Sequence, residues 1–447
     1  MVRSDNSFAS VIRVNIALLR LSGVVSYENG SIHQSSSQNI LRAIAYGCLF
    51  AYAGLYTYEF VLHTIYLDTW MESFAMILSL VGGQARFTIL LLFRNRFQRL
   101  LAICEELWTT LNATEKKHVR NYVKTTRHLT YYYLFSCAFT IFFYALANLF
   151  VVQYDDALNA TIRTLPYTCP VKVHRSPYYE IMYIVQLCSM IHVGLTCAGA
   201  DTVGPVLVLT ICGHFKVLNV RILHLNDHDR VHSEGSSSAS TKSLGIIHEE
   251  NDRSKNHVKS NLEACVYYHQ TMFKLCKEVE SLTTSIFLTQ LLGSTYNVSL
   301  VGFKLAGNYN FIKLFKYVIN DLICHSIVYK HFKYITSYMS ILQDDPDKFK
   351  YATQLLIAVI QLFLSNWAAN VLVIESQDVA KAIYFTPWYR FSYQLKRSVN
   401  IIIMRSQKPA QLTAGNIIPL SLQTFASVRI SVTCKEHALF VNLVYLT

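Results

Sequence analysis

Charged residues are scarce in this chain. They make up 15% of its 447 positions, hydrophobic residues make up 52%, and there are only 8 prolines, whereas a soluble domain carries about 25% charged residues. This scarcity excludes intrinsic disorder and an ordinary cytosolic enzyme. Length alone predicts roughly three soluble domains, but several long uncharged runs indicate one polytopic membrane protein instead.

The sequence also lacks the motifs of common enzyme and metal sites. It has no G-x-S-x-G, no P-loop and no H-E-x-x-H, so we expect no catalytic residues, no cofactor and no enzyme activity. The 11 cysteines include no C-x-x-C pair, and an odd number is not a disulfide framework. His224, His228 and His232 recur at helical spacing, but they adjoin a polar linker at 233–243 and we predict no metal there.

Long apolar runs predict an all-α membrane protein with seven transmembrane helices, because about 20 apolar residues cross a bilayer. Arg13 and Arg20 interrupt the first apolar stretch, so we expect no cleaved signal peptide. The predicted organisation is a cytoplasmic arm at 1–39, spans one to five within 40–303 with a cytoplasmic extension at 216–280, an anomalous outer loop at 304–350, span six at 351–374, a cytoplasmic segment at 375–411 and span seven at 412–447, aberrant after 428.

The distribution of Lys and Arg predicts the orientation. The segments 94–128, 216–280 and 375–411 are basic, whereas the turn at 63–69 has no Lys or Arg. Because cytoplasmic loops carry the excess of basic residues, the N-terminus is predicted inside and the C-terminus outside. The net charge of +12 then reflects basic loops and not nucleic-acid binding. Asn159, in an N-A-T sequon, is predicted outside and open to glycosylation.

Ionisable residues inside predicted spans are functional candidates by default. Glu72, Arg86 and Asp201 fall in such positions. We expect Glu72 to be solvated near the outer interface and Asp201 to lie below the membrane, on a helix that outruns the bilayer. A proton relay is therefore not predicted.

A small-molecule pocket needs apolar walls with a few polar groups. Residues of both kinds lie in the outer halves of the spans, where each is also compatible with ordinary helix packing. Tyr131–Tyr133 open the third span, and we expect them to belong to an interfacial aromatic belt. The candidate ligand-binding residues are Phe74, Tyr144, Tyr183, Gln186, Met190 and Gln361.

Motifs in the last third of the chain resemble insect odorant receptors. Leu412–Gly415 reads L-T-A-G, Pro419–Leu422 reads P-L-S-L, and Thr424-Phe425 follows. Upstream, an E-S-x-x-V-A-x-A-I run precedes P-W-Y. The residues that match family positions at the cytoplasmic segment and the start of the last helix are Glu375, Ser376, Val379, Ala380, Ala382, Ile383, Tyr384, Pro387, Trp388, Tyr389, Pro419, Ser421, Thr424 and Phe425.

This resemblance implies a subunit of a ligand-gated, nonselective cation channel that serves the sense of smell. Members of the family bind small volatile odorants between spans two, three, four and six, and they assemble into heterotetramers with a common co-receptor. The cytoplasmic helix ends hold the subunits together and the seventh helices line the pore. The resemblance also implies a multi-pass protein in the lipid of the plasma membrane of olfactory sensory neurons.

Two segments depart from the family pattern. After Val428 the chain carries Arg429, Lys435, Glu436 and His437 where a pore-lining helix is expected. We interpret this tail as translated intron; a diverged tail is the alternative. Residues 308–341 are rich in Asn, Lys, Ile and Tyr, and there the alternatives are a retained intron and a genuine long outer loop.

Three other classes compete with the odorant receptor interpretation. A gustatory receptor would carry T-Y where this chain has Thr424-Phe425. A G-protein-coupled receptor needs an external N-terminus and an acid-Arg-aromatic triplet after span three, and the region 151–156 lacks Arg. A secondary transporter would show an internal repeat, and none is found.

Overall fold

The fold is built almost entirely of helices, as the apolar runs predict. The computed structural model describes residues 7–24, 27–28, 31–32, 36–62, 67–150, 152–155, 160–163, 165–166, 176–225, 244–305 and 346–427. Its helices are α1 (Phe8–Val11), α2 (Arg13–Leu21), α3 (Ser36–Leu62), α4 (Leu67–Leu92), α5 (Arg94–Thr109), α6 (Ala113–Phe150), α7 (Tyr178–Leu223), α8 (Leu244–Leu305), α9 (Pro346–Tyr384) and α10 (Tyr393–Ser406).

Short antiparallel hairpins and one 3₁₀ turn complete the described part of the chain. The 3₁₀ turn is Trp388–Arg390, between α9 and α10. The strands pair two by two: β1 (Tyr27–Glu28) with β2 (Ser31–Ile32), β3 (Val152–Asp155) with β4 (Ala160–Arg163), and β5 (Thr413–Ala414) with β6 (Ile418–Pro419). None of these hairpins joins a larger sheet in the described residues, so the helices build most of the core.

The apolar runs that predict the spans up to residue 374 lie on helices for most of their length, although the helices are longer than the runs and the third run, 129–154, ends in strand β3. Within the described residues, the helices Tyr178–Leu223 and Thr353–Tyr384 are long and apolar enough to cross a membrane. A third crossing is counted if Ile77–Leu92 and Arg94–Thr109, which meet at 67°, form one bent span. The number of seven crossings and the orientation of the termini therefore stay predictions.

Helix α7 is the centre of the bundle. It packs most extensively against α6 and α9, and also against α8 and α4. From Ala198 to Phe215 every residue of α7 is buried. A helix that is apolar on nearly all sides is typical of a buried position, and Asp201 is the one acidic residue in this run.

Two glycines of α7 let neighbouring helices approach its backbone. A Cβ atom added at Gly213 would lie 2.8 Å from the Cα atom of Val119 on α6. A Cβ atom at Gly204 would lie 2.7 Å from the ring of Phe287 on α8. Real Cβ contacts are not that short, so glycine sets the spacing between α7 and both neighbours.

The N-terminal helices pack against one end of the bundle. The backbone amides of Phe8 and Ala9 donate to the carboxylate of Glu105 at 3.3 and 3.2 Å. Asn15 Nδ2 donates to the hydroxyls of Thr130 on α6 and Thr202 on α7, both at 3.1 Å. Helix α2 is therefore fixed to both of the central helices that it crosses.

Candidate ligand site and anchor

A buried ion pair joins α4 to α7. Arg86 Nε lies 2.9 Å from Asp201 Oδ1, and the two residues are only 5% and 1% exposed. Asp201 lies in the interior of the bundle, and its predicted level below the membrane stays a prediction. Both residues stand out in the sequence as ionisable residues inside predicted spans, but the sequence does not show that they form a pair.

Two further side chains complete this site, which we call the central polar network (Arg86, Tyr133, Asp201 and Gln361). Tyr133 Oη donates to Asp201 Oδ2 at 2.7 Å. Gln361 Nε2 donates to the same oxygen at 2.7 Å and to Tyr133 Oη at 2.5 Å. The prediction of an interfacial belt is wrong for Tyr133, which is 1% exposed, because its hydroxyl finds an acceptor inside the bundle.

The network extends to α8 through a chain of neutral groups. Ser294 Oγ donates to Gln361 Oε1 at 3.0 Å, and Gln290 Nε2 donates to the Gln361 carbonyl at 3.0 Å. Ser365 Oγ in turn donates to Gln290 Oε1 at 3.0 Å. Side chains from α4, α6, α7, α8 and α9 thus meet in one connected set, as buried polar groups require.

A small apolar cluster surrounds Met190 and borders the main core, which Leu80 and Val193 also contact. Met190 of α7 is buried and packs against Leu80 of α4, Ile141 of α6 and Val193 of α7, each of which is only partly buried. We call these four residues the outer apolar cluster. At 1.5 Å per residue, Met190 is about 16 Å from Asp201 along α7, so the cluster and the network lie at different levels of the bundle.

The other candidate ligand-binding residues lie around the same helices. The Phe74 ring packs edge-on against Tyr296 of α8, with centroids 5.3 Å apart. Tyr183 Oη donates to the Ala145 carbonyl at 2.8 Å, and Gln186 is buried. Tyr144 belongs to α6, but its side chain is outside the described residues.

A second polar contact, which joins α8 to α4 and α9, was not predicted from the sequence. Asn297 Nδ2 of α8 donates to Ser79 Oγ of α4 at 2.7 Å. Gln354 Nε2 of α9 donates to Asn297 Oδ1 at 3.4 Å. Single polar residues in apolar runs are the only trace that such contacts leave in a sequence, and they do not identify the partner.

At the end of the bundle where α6 begins and α7 ends, a second ion pair holds these two helices together. Arg221 Nε and Nη2 donate to Glu115 at 2.6 and 3.0 Å, and the guanidinium lies 4.8 Å from the ring centroid of Tyr268 on α8. Burial opposes ionisation of Glu115, but the hydrogen bonds from Arg221 and from the Asn112 amide outweigh it and lower the pKa of Glu115 below its ordinary value.

Buried histidines pack beside this ion pair. His214 Nδ1 is 2.6 Å from Tyr268 Oη, and the His269 ring packs edge-on against Phe273 with centroids 4.9 Å apart. Burial, helped by the positive charge of Arg405, lowers the pKa of His269 to about 4. His269 is therefore neutral at physiological pH.

The family-motif residues of α9 connect it to three other segments. Glu375 accepts a hydrogen bond from Tyr122 Oη of α6, and its carbonyl accepts from Asn219 Nδ2 of α7 at 3.5 Å. Ser376 Oγ accepts from the backbone amide of Ala410 at 3.0 Å. We call the contacts of Glu115, Tyr122, Arg221, Glu375 and Ser376 the anchor.

The remaining motif residues shape the turns on either side of α10. Pro387 precedes the 3₁₀ turn, in which Trp388 packs on the core and Tyr389 is 60% exposed. This turn separates α9 from α10 and leaves the Tyr389 ring exposed, with the Arg390 guanidinium 5.6 Å from its centroid.

The C-terminal motif forms a compact local structure against α9. Thr424 Oγ1 donates to the Pro419 carbonyl at 2.7 Å, and its amide donates to Ser421 Oγ at 3.1 Å. The Ser421 amide donates to Asn366 Oδ1 at 3.1 Å. The Phe425 ring packs edge-on against Phe363, 5.8 Å between centroids, so the start of the expected seventh span is fixed to α9.

Some predictions fall outside the described residues. They concern Asn159, the 308–341 segment and the tail from 428 onward. No group of three His, Cys, Asp or Glu residues in the described part of the chain is arranged to hold a metal ion.

The chain is similar in sequence to insect olfactory proteins. The family model described as 7tm Odorant receptor matches residues 66–325 and 334–431. Odorant receptor 10 of Aedes albopictus is 34% identical over 77 residues, 17% of this chain and 20% of that protein. Putative odorant receptor 85d of Drosophila melanogaster is 22% identical over 268 residues, 60% of this chain and 51% of that protein. The matched regions thus span about half of these relatives or less.

The fold is also similar to that of a solved structure. The insect olfactory receptor OR5 from Machilis hrabei aligns with a TM-score of 0.66 at 15% identity, over 96% of this chain and 97% of that one. A second structure of OR5, in complex with eugenol, aligns with the same score at 16% identity and the same coverage. At these identities the similarity establishes the fold.

Proposed function

Because this chain belongs to the 7tm odorant receptor family, we propose that it is a ligand-binding subunit of an odorant-gated cation channel in the sense of smell. The family is one of receptors and not of enzymes. The proposed ligand is a small volatile molecule, and the proposed location is the plasma membrane of olfactory sensory neurons.

The outer apolar cluster is the observation that carries the proposal. Met190, Leu80 and Ile141 come from three helices and pack together, and Met190 itself is not part of the continuous core that Leu80 also contacts. Apolar walls closed on one side by a few oriented polar groups are typical of a small-molecule site, and the central polar network supplies those groups. Burial of apolar surface stabilises a bound ligand by roughly 25 cal/mol per Å², so a small odorant is expected to bind with about micromolar affinity.

Gating requires that the ligand bind the open arrangement better than the closed one. The central polar network and the anchor both connect α6, α7 and α9, so a shift of α7 at the ligand site is transmitted to the anchor. A co-receptor subunit is the proposed partner there. Exposed aromatic rings of the kind found at subunit contacts support it: Tyr384, Phe385, Tyr389 and Tyr393.

Co-expression with an odorant receptor co-receptor tests the function. Odorant-evoked current is expected only when both chains are present, and inhibition of G proteins should leave it unchanged. Met190→Trp, which fills the outer apolar cluster, should abolish the response without reducing surface expression. Leu292→Trp is the control, because Leu292 is 59% exposed on α8. Current that disappears on G-protein inhibition contradicts the proposal.

A further inference from the structure

Arg86 has more N–H donors than its partners use. A guanidinium carries five. Nε faces Asp201 at 2.9 Å, and the group also interacts with the Cys197 thiol. Among the residues that the structure describes, no hydrogen bond to an oxygen acceptor is formed by Nη1 or Nη2 of Arg86. These two nitrogens are therefore suited to an acceptor that the chain itself does not supply.

Open space adjoins Nη1. A Cβ atom at Gly82 would have one neighbour within 4 Å, Arg86 Nη1 at 3.9 Å. A Cβ atom at Gly83 would lie 3.9 Å from Nη2 but only 2.8 Å from Cys197 Sγ, so the open space is at Gly82. Both glycines precede Arg86 on α4, on the side of Leu80 and the outer apolar cluster. The missing side chain at Gly82 therefore leaves Nη1 accessible from that side.

Accessibility inside the bundle supports this position. Gln361 is hydrogen-bonded to groups on three other helices, so it lies in the interior, yet it is only partly buried. Cys197, beside Gly83, is also only partly buried, as are Leu80 and Val193 of the outer apolar cluster. Partial exposure of interior residues from the cluster to the network is what an internal ligand cavity produces.

The network presents donors and has its acceptors occupied. Asp201 Oδ1 faces Arg86, whereas Oδ2 accepts from both Tyr133 and Gln361. Gln361 Oε1 accepts from Ser294. The Arg86–Asp201 pair has no net charge, so the site does not call for an ionic ligand.

From these observations we infer that Arg86 is the polar recognition residue of the odorant site, and that the site takes neutral odorants with an acceptor oxygen, such as ketones and esters. The apolar part of the odorant packs on the outer apolar cluster and its oxygen accepts from Arg86 Nη1 or Nη2. Asp201 acts as a positioning residue, since it holds the guanidinium at Nε. This inference rests on the proposed odorant-binding function and adds the chemical class of the ligand to it.

A matched pair of probes tests the ligand class. The co-expressed complex is purified in detergent, and its thermal stabilisation is titrated with 2-heptanone and with 1-heptene; evoked current is recorded for the same two compounds. The ketone is expected to act at about a tenfold lower concentration, as one hydrogen bond from a charged donor provides. An equal or stronger effect of the hydrocarbon overturns the inference.

Two variants assign the preference to Arg86. Arg86→Lys keeps a cation for Asp201 but lacks the terminal N–H fork, so the ketone preference should fall by about tenfold. The double variant Arg86→Met with Asp201→Leu removes both charges together and should lose the same preference, even if the lysine variant folds poorly. Arg96→Lys on the exposed face of α5 is the control and should keep it.

The two readouts separate this inference from the proposed function. Ketone binding that depends on Arg86 without any evoked current supports the ligand class and contradicts the channel proposal. Evoked current with an unchanged ketone preference in both Arg86 variants supports the channel and overturns the role of Arg86.

Discussion

Arg86 and Asp201 form an ion pair with 2.9 Å between Nε and Oδ1 in the interior of a helical bundle. An isolated charge at such a place is expensive, and a buried pair is not by itself more stable than an apolar pair of similar volume. We therefore expect a large loss of stability when only one of the two partners is removed.

Removal of one charge is expected to be far worse than removal of both. Arg86→Met or Asp201→Leu alone should destabilise the protein by about 3–5 kcal/mol, because the remaining charge stays buried and unpaired. The double variant should recover most of that loss. Thermal unfolding in detergent measures the effect, and a double variant as unstable as the worse single variant would contradict it.

The Tyr133 hydroxyl is predicted to stabilise the folded protein, although Tyr133 lies at the start of a predicted span next to other tyrosines. Tyr133→Phe removes a donor to Asp201 Oδ2 and should cost about 1–3 kcal/mol. Tyr132→Phe, at a residue 37% exposed, is the matched control with no expected change. Equal unfolding temperatures for the two variants would show that the hydroxyl of Tyr133 makes no net contribution.

The anchor ion pair is expected to show energetic coupling. In a double-mutant cycle, Glu115→Gln and Arg221→Gln should interact by about 0.5–3 kcal/mol, since the Glu115 side chain is 10% exposed and the contact uses two nitrogens. The exposed pair Asp378–Lys381 is the control and should show no measurable coupling. Coupling of similar size in both cycles would contradict the assignment.

Acid pH is predicted to weaken the region around His269. Its pKa is lowered to about 4 by burial and by Arg405, whereas an unfolded histidine titrates near about 6.5. The unfolded state therefore binds the proton first, and stability is lost as pH falls from about 6.5 toward 4. His269→Gln should flatten the dependence of the unfolding temperature on pH across this window. An unchanged slope would exclude His269 as its source.

Glycine-to-alanine substitutions on two central helices should change the stability of the protein in opposite directions. Gly213→Ala forces a Cβ atom within 2.8 Å of the Val119 Cα atom and should push α6 away from α7, with lower unfolding temperature and lower surface expression. Gly293→Ala on α8 meets nothing within 4 Å and should stabilise the helix by about 1 kcal/mol. Stability that rises in both variants would contradict the close approach at Gly213.

The sequence predicts the helices better than their contacts. Apolar runs with few charges predict the positions of α3, α4, α6, α7, α8 and α9, since a helix in an apolar environment is a property of a continuous segment. The motif at Pro419–Phe425 identifies a family. The pairing of Arg86 with Asp201 joins positions more than a hundred residues apart, and nothing local in the chain records it. The same limit explains the wrong prediction for Tyr133, whose neighbours Tyr131 and Tyr132 are exposed.

The complete enclosure of α7 between Ala198 and Phe215 has a consequence for biosynthesis. A segment that ends with no lipid-facing side cannot be shielded until helices made both before and after it have arrived. A product that stops before α9 would leave Asp201 without Gln361 and one side of α7 open to lipid. We expect membrane quality control to recognise such an unpaired helix and to degrade the truncated product. The accumulation of the first two thirds of the chain therefore depends on the last third.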